Sequence, residues 1–271
     1  MISLSNLRQF KQQGRKFSCL TCYDATMAKI MEVAQIDSIL VGDSLGMVIQ
    51  GHDSTLPVQV ADMVYHTAAV RRANQYAFLM TDLPFLSYAN ENDAIMNARA
   101  VMQAGAQMVK IEGGAWLSNT VQLLTRNGVP VCVHLGLTPQ SVNVFGGYKV
   151  QAKTRDAADQ LIEDCQAVVD AGAALLLLEC VPAQLGQEIA ALFPEVPVIG
   201  IGAGADTDAQ VLVVQDMLGL NQGHVAKFVR NFMKEQAGEH AVLDAIQAYH
   251  AAVLDQSFPS LEHSFQVELS A

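Results

Sequence analysis

Eight short apolar runs, separated by amphipathic stretches from one end of the chain to the other, constrain its fold more than any other feature. FSCLTCYD (17–24), SILVGDSLG (38–46), AFLMTDLPF (77–85), QMVKIEGG (107–114), VPVCVHLGL (129–137), ALLLLECVP (174–182), VPVIGIGAG (196–204) and AQVLVVQDMLG (209–219) each read as a strand. Several are nearly all apolar instead of alternating, as parallel strands covered on both faces are. The stretches at 25–35, 60–73, 91–104, 115–127, 155–171 and 183–192 carry helical periodicity. Glycine turns such as Ala104-Gly105-Ala106, Gly128-Val129-Pro130 and Ala171-Gly172-Ala173 precede several strands. Glycine there suits the left-handed cap that ends a helix. Eight such pairs predict a (β/α)8 TIM barrel of the α/β class. No Pro/Ser-rich linker or composition shift divides the chain, so residues 1–271 read as a single domain. HVAKFVRNFMKE (224–235) and EHAVLDAIQAYHAAVL (239–254) predict two extra C-terminal helices, followed by an irregular tail. A doubly wound sheet is the alternative, but it usually places a glycine-rich dinucleotide loop after its first strand, where this chain has CYDATMAK.

The formal net charge of −11 argues against nucleic acid or an anionic membrane as partner, since both need a basic patch. It also means that an anionic substrate must be met by local positive charge. The opening MISLSNLRQFKQQG has neither the apolar centre of a signal peptide nor an Arg-rich transit pattern, and no run of about 18 apolar residues predicts a membrane span. A cytoplasmic protein is the expectation. The five cysteines are an odd number, which favours reduced, buried thiols. Cys19 and Cys22 form a C-x-x-C, but three residues apart on a strand they point to opposite faces, which argues against a metal or redox pair. The methionines and Trp116 read as packing residues.

Polar or ionisable residues stand where the strands end: Asp24, Asp43 with Ser44, Asp82, Lys110 with Glu112, His134 and Glu179. In a barrel this rim supplies the catalytic groups. Asp43, Asp82 and Glu112 at one mouth would repel one another, and a divalent cation relieves this. Oxygen donors without a His/Cys set favour Mg²⁺ over Zn²⁺. The competing reading makes each Asp a helix N-cap. It suits Glu112 poorly, because Glu caps badly and two glycines follow it. Lys110 and Glu112, two apart, share one face of a strand. Lys110 is then either a structural ion pair or a clamp for a substrate anion. Glu179 follows five apolar residues, which suits it to act as a general base near neutral pH, with a salt bridge to a barrel cation as the alternative. His134 is either a reacting group or a hydrogen-bonded core histidine. GIGAG (200–204) is either a phosphate-binding turn or a tight βα turn; it lacks the Lys-Ser/Thr of a P-loop.

Taken together, VGDSLGMVIQGHDSTLPV, YHTAAVRR, DLPF, MVKIEGG, PVCVHLGLTPQSVNVFGGYKVQ, LLLLECVP, PVIGIGAG and EHSF resemble the ketopantoate hydroxymethyltransferase family, in order and over nearly the whole chain. The resemblance implies transfer of a hydroxymethyl group from 5,10-methylenetetrahydrofolate to 3-methyl-2-oxobutanoate, a 2-oxo acid, giving 2-dehydropantoate and tetrahydrofolate in pantothenate biosynthesis. It implies Mg²⁺ held by Asp43, Asp82 and Glu112 and assisting enolate formation. It further implies oxo-acid contacts from Asp43, Ser44, Asp82 and Lys110, Glu179 as proton acceptor, and His134 near the reacting carbons. The segment 138–153 is a candidate closing loop, and a homo-oligomer, typically a decamer, is the implied assembly. Three positions depart from the family's usual pattern: Ala152 where KVQG is common, Ala209 where T-D-G-Q is common, and Ala226 where H-x-P-K-F is common. None falls on the expected metal or base positions.

Overall fold

A computed structural model describes residues 1–221, 223 and 225–267. Eight strands, β1 (Phe17–Thr21), β2 (Ser38–Val41), β3 (Phe78–Asp82), β4 (Met108–Glu112), β5 (Val131–Gly136), β6 (Leu175–Glu179), β7 (Val198–Ile201) and β8 (Ala209–Leu212), pair in sequence order into a closed barrel. Every pairing is parallel, including β8 with β1. The (β/α)8 reading holds and the doubly wound alternative does not.

The strands look uniformly apolar because both faces are buried, yet they still alternate. Phe17, Cys19, Phe78, Met80, Met108, Cys132, Leu175, Leu177, Ile199, Ala209 and Val211 fill the barrel interior. Leu20, Ile39, Leu79, Val109, Ile111, Val133, Leu176, Leu178 and Val198 face outward into a second core beneath the helices. Period-two geometry carries this parity to the strand ends, where the inward positions become Asp82, Lys110, Glu112, His134 and Glu179. Cys19 lies in the inner core and Cys22 in the outer one, both as free buried thiols pushed up to about 12 by burial. The C-x-x-C is therefore no pair.

The barrel helices lie close to their predicted ranges: Ala25–Val33, Val60–Ala73, Glu91–Gln103, Ser118–Arg126, Arg155–Asp170 and Ala183–Leu192. Two C-terminal helices were expected, and one forms, at Ala241–Leu254. Of the other, His224 lies outside the described residues, and from Val225 onward the chain makes turns and a single 3-10 turn at Phe232–Glu235. Its apolar residues are drawn to separate places. Phe228 lies against Gly202 at the end of β7, whereas Phe232 packs edge-on to Tyr249 and Phe258 with centroids 5.5 Å from each.

The N-terminal segment forms a helix, Leu4–Gln12, that the sequence reading did not anticipate. Ser3 and Asn6 close a reciprocal capping box at its start. Leu7 is fully buried among Ile2, Phe17 and Phe78, so this helix plugs the barrel at the N-terminal ends of the strands. Lys11 anchors it by a 2.7 Å ion pair to Asp208. The opposite mouth, at the C-terminal ends, is left for chemistry. Among the described residues no helix is long and apolar enough to cross a membrane.

Candidate active site

Five successive strands deliver the charged side chains to this mouth. Asp43 follows β2, Asp82 ends β3, Lys110 and Glu112 lie on β4, His134 on β5, and Glu179 ends β6. Register sets their neighbours: Asp82 stands opposite Lys110, and Glu112 opposite His134. Asp43, Asp82, Lys110, Glu112 and His134 are all buried, while the Glu179 side chain keeps 13% of its surface.

Lys110 Nζ is the hub. It lies 3.0 Å from Asp82 Oδ1, 3.4 Å from Glu112 Oε1 and 3.2 Å from His134 Nδ1. His134 continues the chain of charge: its Nδ1 is 3.3 Å from Glu112 Oε1 and its Nε2 is 3.2 Å from Glu179 Oε2. Asp43 contributes its backbone N–H to Asp82 Oδ2 at 3.0 Å. Tyr23 OH and Ser44 Oγ share a 2.8 Å hydrogen bond beside it.

Burial opposes every one of these charges, so their protonation reports which partner prevails. Burial, reinforced by Asp82 and Glu112, holds Asp43 well above the usual carboxylate range. Burial also raises Asp82, although Lys110 counters it. For Glu112 burial is overcome by Lys110 and His134, which hold it down to about 2. For Lys110 burial is overcome by Asp82, Glu112 and Asp43, and its ammonium is held well above the ordinary lysine value. Burial and Lys110 push His134 down, but Glu112 and the contact to Glu179 prevail and raise it to about 9. The mouth therefore presents an ammonium and an imidazolium between carboxylates, and Asp43 and Asp82 are the carboxyls whose negative charge these two cations leave least compensated.

Two uncharged residues complete the site, and the sequence reading did not single them out. Gln140, in the 3-10 turn Pro139–Ser141, donates its amide to Asp43 Oδ2 at 2.8 Å and its backbone N–H to Glu112 Oε2 at 2.9 Å. Tyr88 OH donates to Gln140 Oε1 at 2.6 Å and accepts the Glu112 N–H at 3.1 Å. Gln140 lies in HLGLTPQS, a quoted motif that gave it no role; Tyr88 carried no signal, since it stands in an irregular loop.

Other rim residues separate from the set. Asp24 accepts the Met27 N–H at 2.8 Å and is a helix N-cap, the bland reading. The Gly204 carbonyl in GIGAG accepts from Gln210 Nε2 at 2.9 Å, and Gly202 and Gly204 adopt positive φ, which is the geometry of a tight turn. Trp116 is 68% exposed and is not a packing residue, although its ring covers Gly113.

The model of the family described as ketopantoate hydroxymethyltransferase matches residues 1–261. The chain belongs to that family. It is accordingly an enzyme, and Asp43, Asp82, Lys110, Glu112, His134 and Glu179, which lie within motifs that carried the resemblance, converge on this one mouth. A 3-methyl-2-oxobutanoate hydroxymethyltransferase from Acinetobacter baylyi is 79% identical, over 99% of this chain and all of the relative. One from a Psychrobacter species is 59% identical over 98% of this chain and all of the relative. Among solved structures, a phosphoenolpyruvate phosphomutase from Streptomyces platensis subsp. rosaceus superposes with a TM-score of 0.63 at 13% identity, covering 95% of this chain and 100% of that one. A phosphonopyruvate hydrolase, solved with oxalate and Mg²⁺, superposes with a TM-score of 0.60 at 14% identity, covering 97% of this chain and 93% of that one. At such identity these two similarities concern the fold of the hydroxymethyltransferase family member and no more.

The donor set bears on the expected cation. Among the described residues no three His, Cys, Asp or Glu side chains stand close enough to form a ready metal cluster. Lys110 and the Gln140 amide instead lie among the three carboxylates. Both Glu112 oxygens are already engaged, by Lys110 and His134 on one side and the Gln140 N–H on the other. Asp82 Oδ1 is buried without an aligned hydrogen bond, although it faces Lys110. These oxygens fit a hard divalent cation at Asp43 and Asp82, whose ionised forms burial disfavours and a cation would restore, with Glu112 balancing charge behind them.

Proposed function

We propose that this enzyme transfers a hydroxymethyl group from 5,10-methylenetetrahydrofolate to 3-methyl-2-oxobutanoate, yielding 2-dehydropantoate and tetrahydrofolate. The observation that carries the mechanism is the placement of Glu179. It is the partly exposed carboxylate at the mouth, with Oε2 3.2 Å from His134 Nε2, a charge contact without an aligned hydrogen bond, and His134 in turn lies beside the buried Lys110 cation. A base beside a cationic pocket is what proton abstraction next to a carbonyl needs.

The oxo acid enters the mouth with its carboxylate and keto oxygens toward Lys110 and Ser44. Glu179 takes the C3 proton through the oxygen that His134 leaves free. Lys110 and the His134 imidazolium stabilise the negative charge that moves onto the keto oxygen. Asp43 and Asp82 would hold Mg²⁺, which when bound supplies Lewis-acid stabilisation of that same charge. Water adds to the methylene carbon of the folate as both of its carbon–nitrogen bonds break, which leaves tetrahydrofolate and a one-carbon unit at the aldehyde level; the C3 carbanion bonds to that carbon, its oxygen becomes the hydroxyl, and the proton from C3 and one from water balance the two folate N–H groups. The segment 138–153, anchored at Gln140, closes over the reacting carbons and excludes water from the proton-transfer step. By resemblance the enzyme is a cytoplasmic homo-oligomer, typically a decamer, and sedimentation of the purified protein measures the number of subunits.

Turnover tests the assignment. Product must form only with both the oxo acid and methylenetetrahydrofolate, and must stop on exhaustive chelation and return with Mg²⁺. Cleavage of a 2-oxo or 2-hydroxy acid without folate would place the chemistry with the carbon–carbon lyases instead. Full activity after chelation would remove the cation from Asp43 and Asp82.

A further inference from the structure

We propose that Gln140 is a positioning residue: it fixes the orientation in which Asp43 is presented to the cation, holds Glu112 in its charge-balancing place behind it, and so makes docking of the near end of the mouth segment a condition for a competent site. This rests on the cation reading above.

Hydrogen-bond accounting leads to it. Gln140 is only 5% exposed, and every polar group of its side chain is committed. One amide hydrogen goes to Asp43 Oδ2 at 2.8 Å and the other to the Leu83 carbonyl at 3.0 Å. The amide oxygen accepts from Tyr88 OH at 2.6 Å. Turning the amide over would set its oxygen against a carboxylate and a carbonyl, so only one orientation satisfies the site. Tyr88 favours that orientation: its oxygen accepts the Glu112 N–H at 3.1 Å, and its hydrogen reaches Gln140 Oε1 at 2.6 Å, closer than its other acceptor, the Glu112 carbonyl at 3.2 Å. The backbone N–H of the same residue binds Glu112 Oε2 at 2.9 Å. Gln140 thus touches groups that follow β2 and β3 and the residue that ends β4, although it belongs to the segment after β5.

The middle of that segment offers no comparable anchor, while its far end is tied by the Gln151 N–H to the Cys180 carbonyl at 2.8 Å. The helical turn Val142–Phe145 has no buried residue, Val144 is 86% exposed and Tyr148 51%. A segment with so little buried surface opens at low cost. Gln140, buried at the near end of that segment, is what ties it to Asp43, and without Gln140 Asp43 loses the hydrogen bond that restrains its rotation. Partners of this kind, one step behind a metal ligand, typically change metal affinity or activity by about 10- to 100-fold when removed.

The test is Mn²⁺ affinity of the full-length protein without substrate, read by electron paramagnetic resonance, together with kcat and KM for the oxo acid. Gln140→Met keeps length and volume but has no amide; its Mn²⁺ Kd should rise about tenfold or more, with kcat falling and KM for the oxo acid rising. Tyr88→Phe leaves Gln140 in place but frees its amide; it should shift the same quantities in the same direction by about two- to tenfold. The Tyr88 variant keeps the proposal testable should Gln140→Met fail to fold. Wild type that binds Mn²⁺, with folded variants that bind it within twofold of wild type and keep both kinetic constants, would overturn the role of Gln140 alone. Wild type that binds no Mn²⁺ would overturn the cation reading and this proposal with it.

Discussion

Replacing Lys110 with Met should convert a compact charge cluster into three facing carboxylates, and its cost can be worked from Glu112. Lys110 and His134 together hold that carboxyl down to about 2 against its ordinary 4.5. Such a difference corresponds to roughly 3 kcal/mol of native-state stabilisation, of which Lys110 supplies the leading part. Removing one partner of a buried ion pair costs a similar ~3–5 kcal/mol in proteins generally. The sign follows from linkage. A carboxyl depressed in the folded state contributes stability that is fully present above 4.5 and is lost as the pH falls from 4.5 toward 2. Urea unfolding of chelated wild type and Lys110→Met at pH 7 should therefore differ by about 3 kcal/mol. The gap should narrow as the pH falls below 4.5, where wild type gives up what the variant never had. A gap below ~1 kcal/mol at pH 7, the scale of an exposed pair, would refute the reasoning. So would a gap unchanged at pH 3.

Three further outcomes follow from the same geometry. His134 is raised to about 9, so its contribution is fully present below the ordinary 6.5 and is lost as the pH rises through 9; chelated wild type should lose stability across that window, and His134→Gln should flatten the slope in a pH series of melts. Ala152 sits at φ +52°, a left-handed conformation that disfavours side chains, so Ala152→Gly should stabilise the fold by about 0.5–1 kcal/mol in urea titration. Gly136 has φ +85° and a Cβ there would strike the Glu179 carbonyl; Gly136→Ala should cost roughly 1–3 kcal/mol in the same titration and lower kcat by displacing the end of β6.

Much of this was legible because barrel geometry is periodic. Apolar runs located β1 to β8, and counting by twos from Lys110 to Glu112 put both on the inward face. The same counting separated Cys19 from Cys22. What periodicity cannot supply is partnership across the barrel. Asp24 and Asp43 both follow a strand, but Asp24 caps the helix beginning at Ala25 while Asp43 turns to Gln140, 97 residues away. Tyr88 and Gln140 lie in irregular segments, where no repeat marks which side chain turns inward. The expected helix from 224 fails for a related reason: tertiary sites for Phe228 and Phe232 override a locally acceptable pattern. The Leu4–Gln12 helix is short and mostly polar, and only docking of Leu7 against Phe17 makes it a barrel plug. The oddity of Ala152 was visible against the family motif, and its positive φ gives the physical reason a glycine suits that place.

The central claim is that Glu179 removes the C3 proton of an oxo acid held at this mouth. Proton exchange at C3 of 3-methyl-2-oxobutanoate in D₂O, followed by proton NMR without any folate, measures that step alone. Wild type should exchange the proton in the presence of Mg²⁺, and Glu179→Gln, which keeps the side chain's size and its neighbour His134, should slow exchange by about 100-fold or more. Exchange at the wild-type rate in Glu179→Gln would contradict the account and move the base elsewhere.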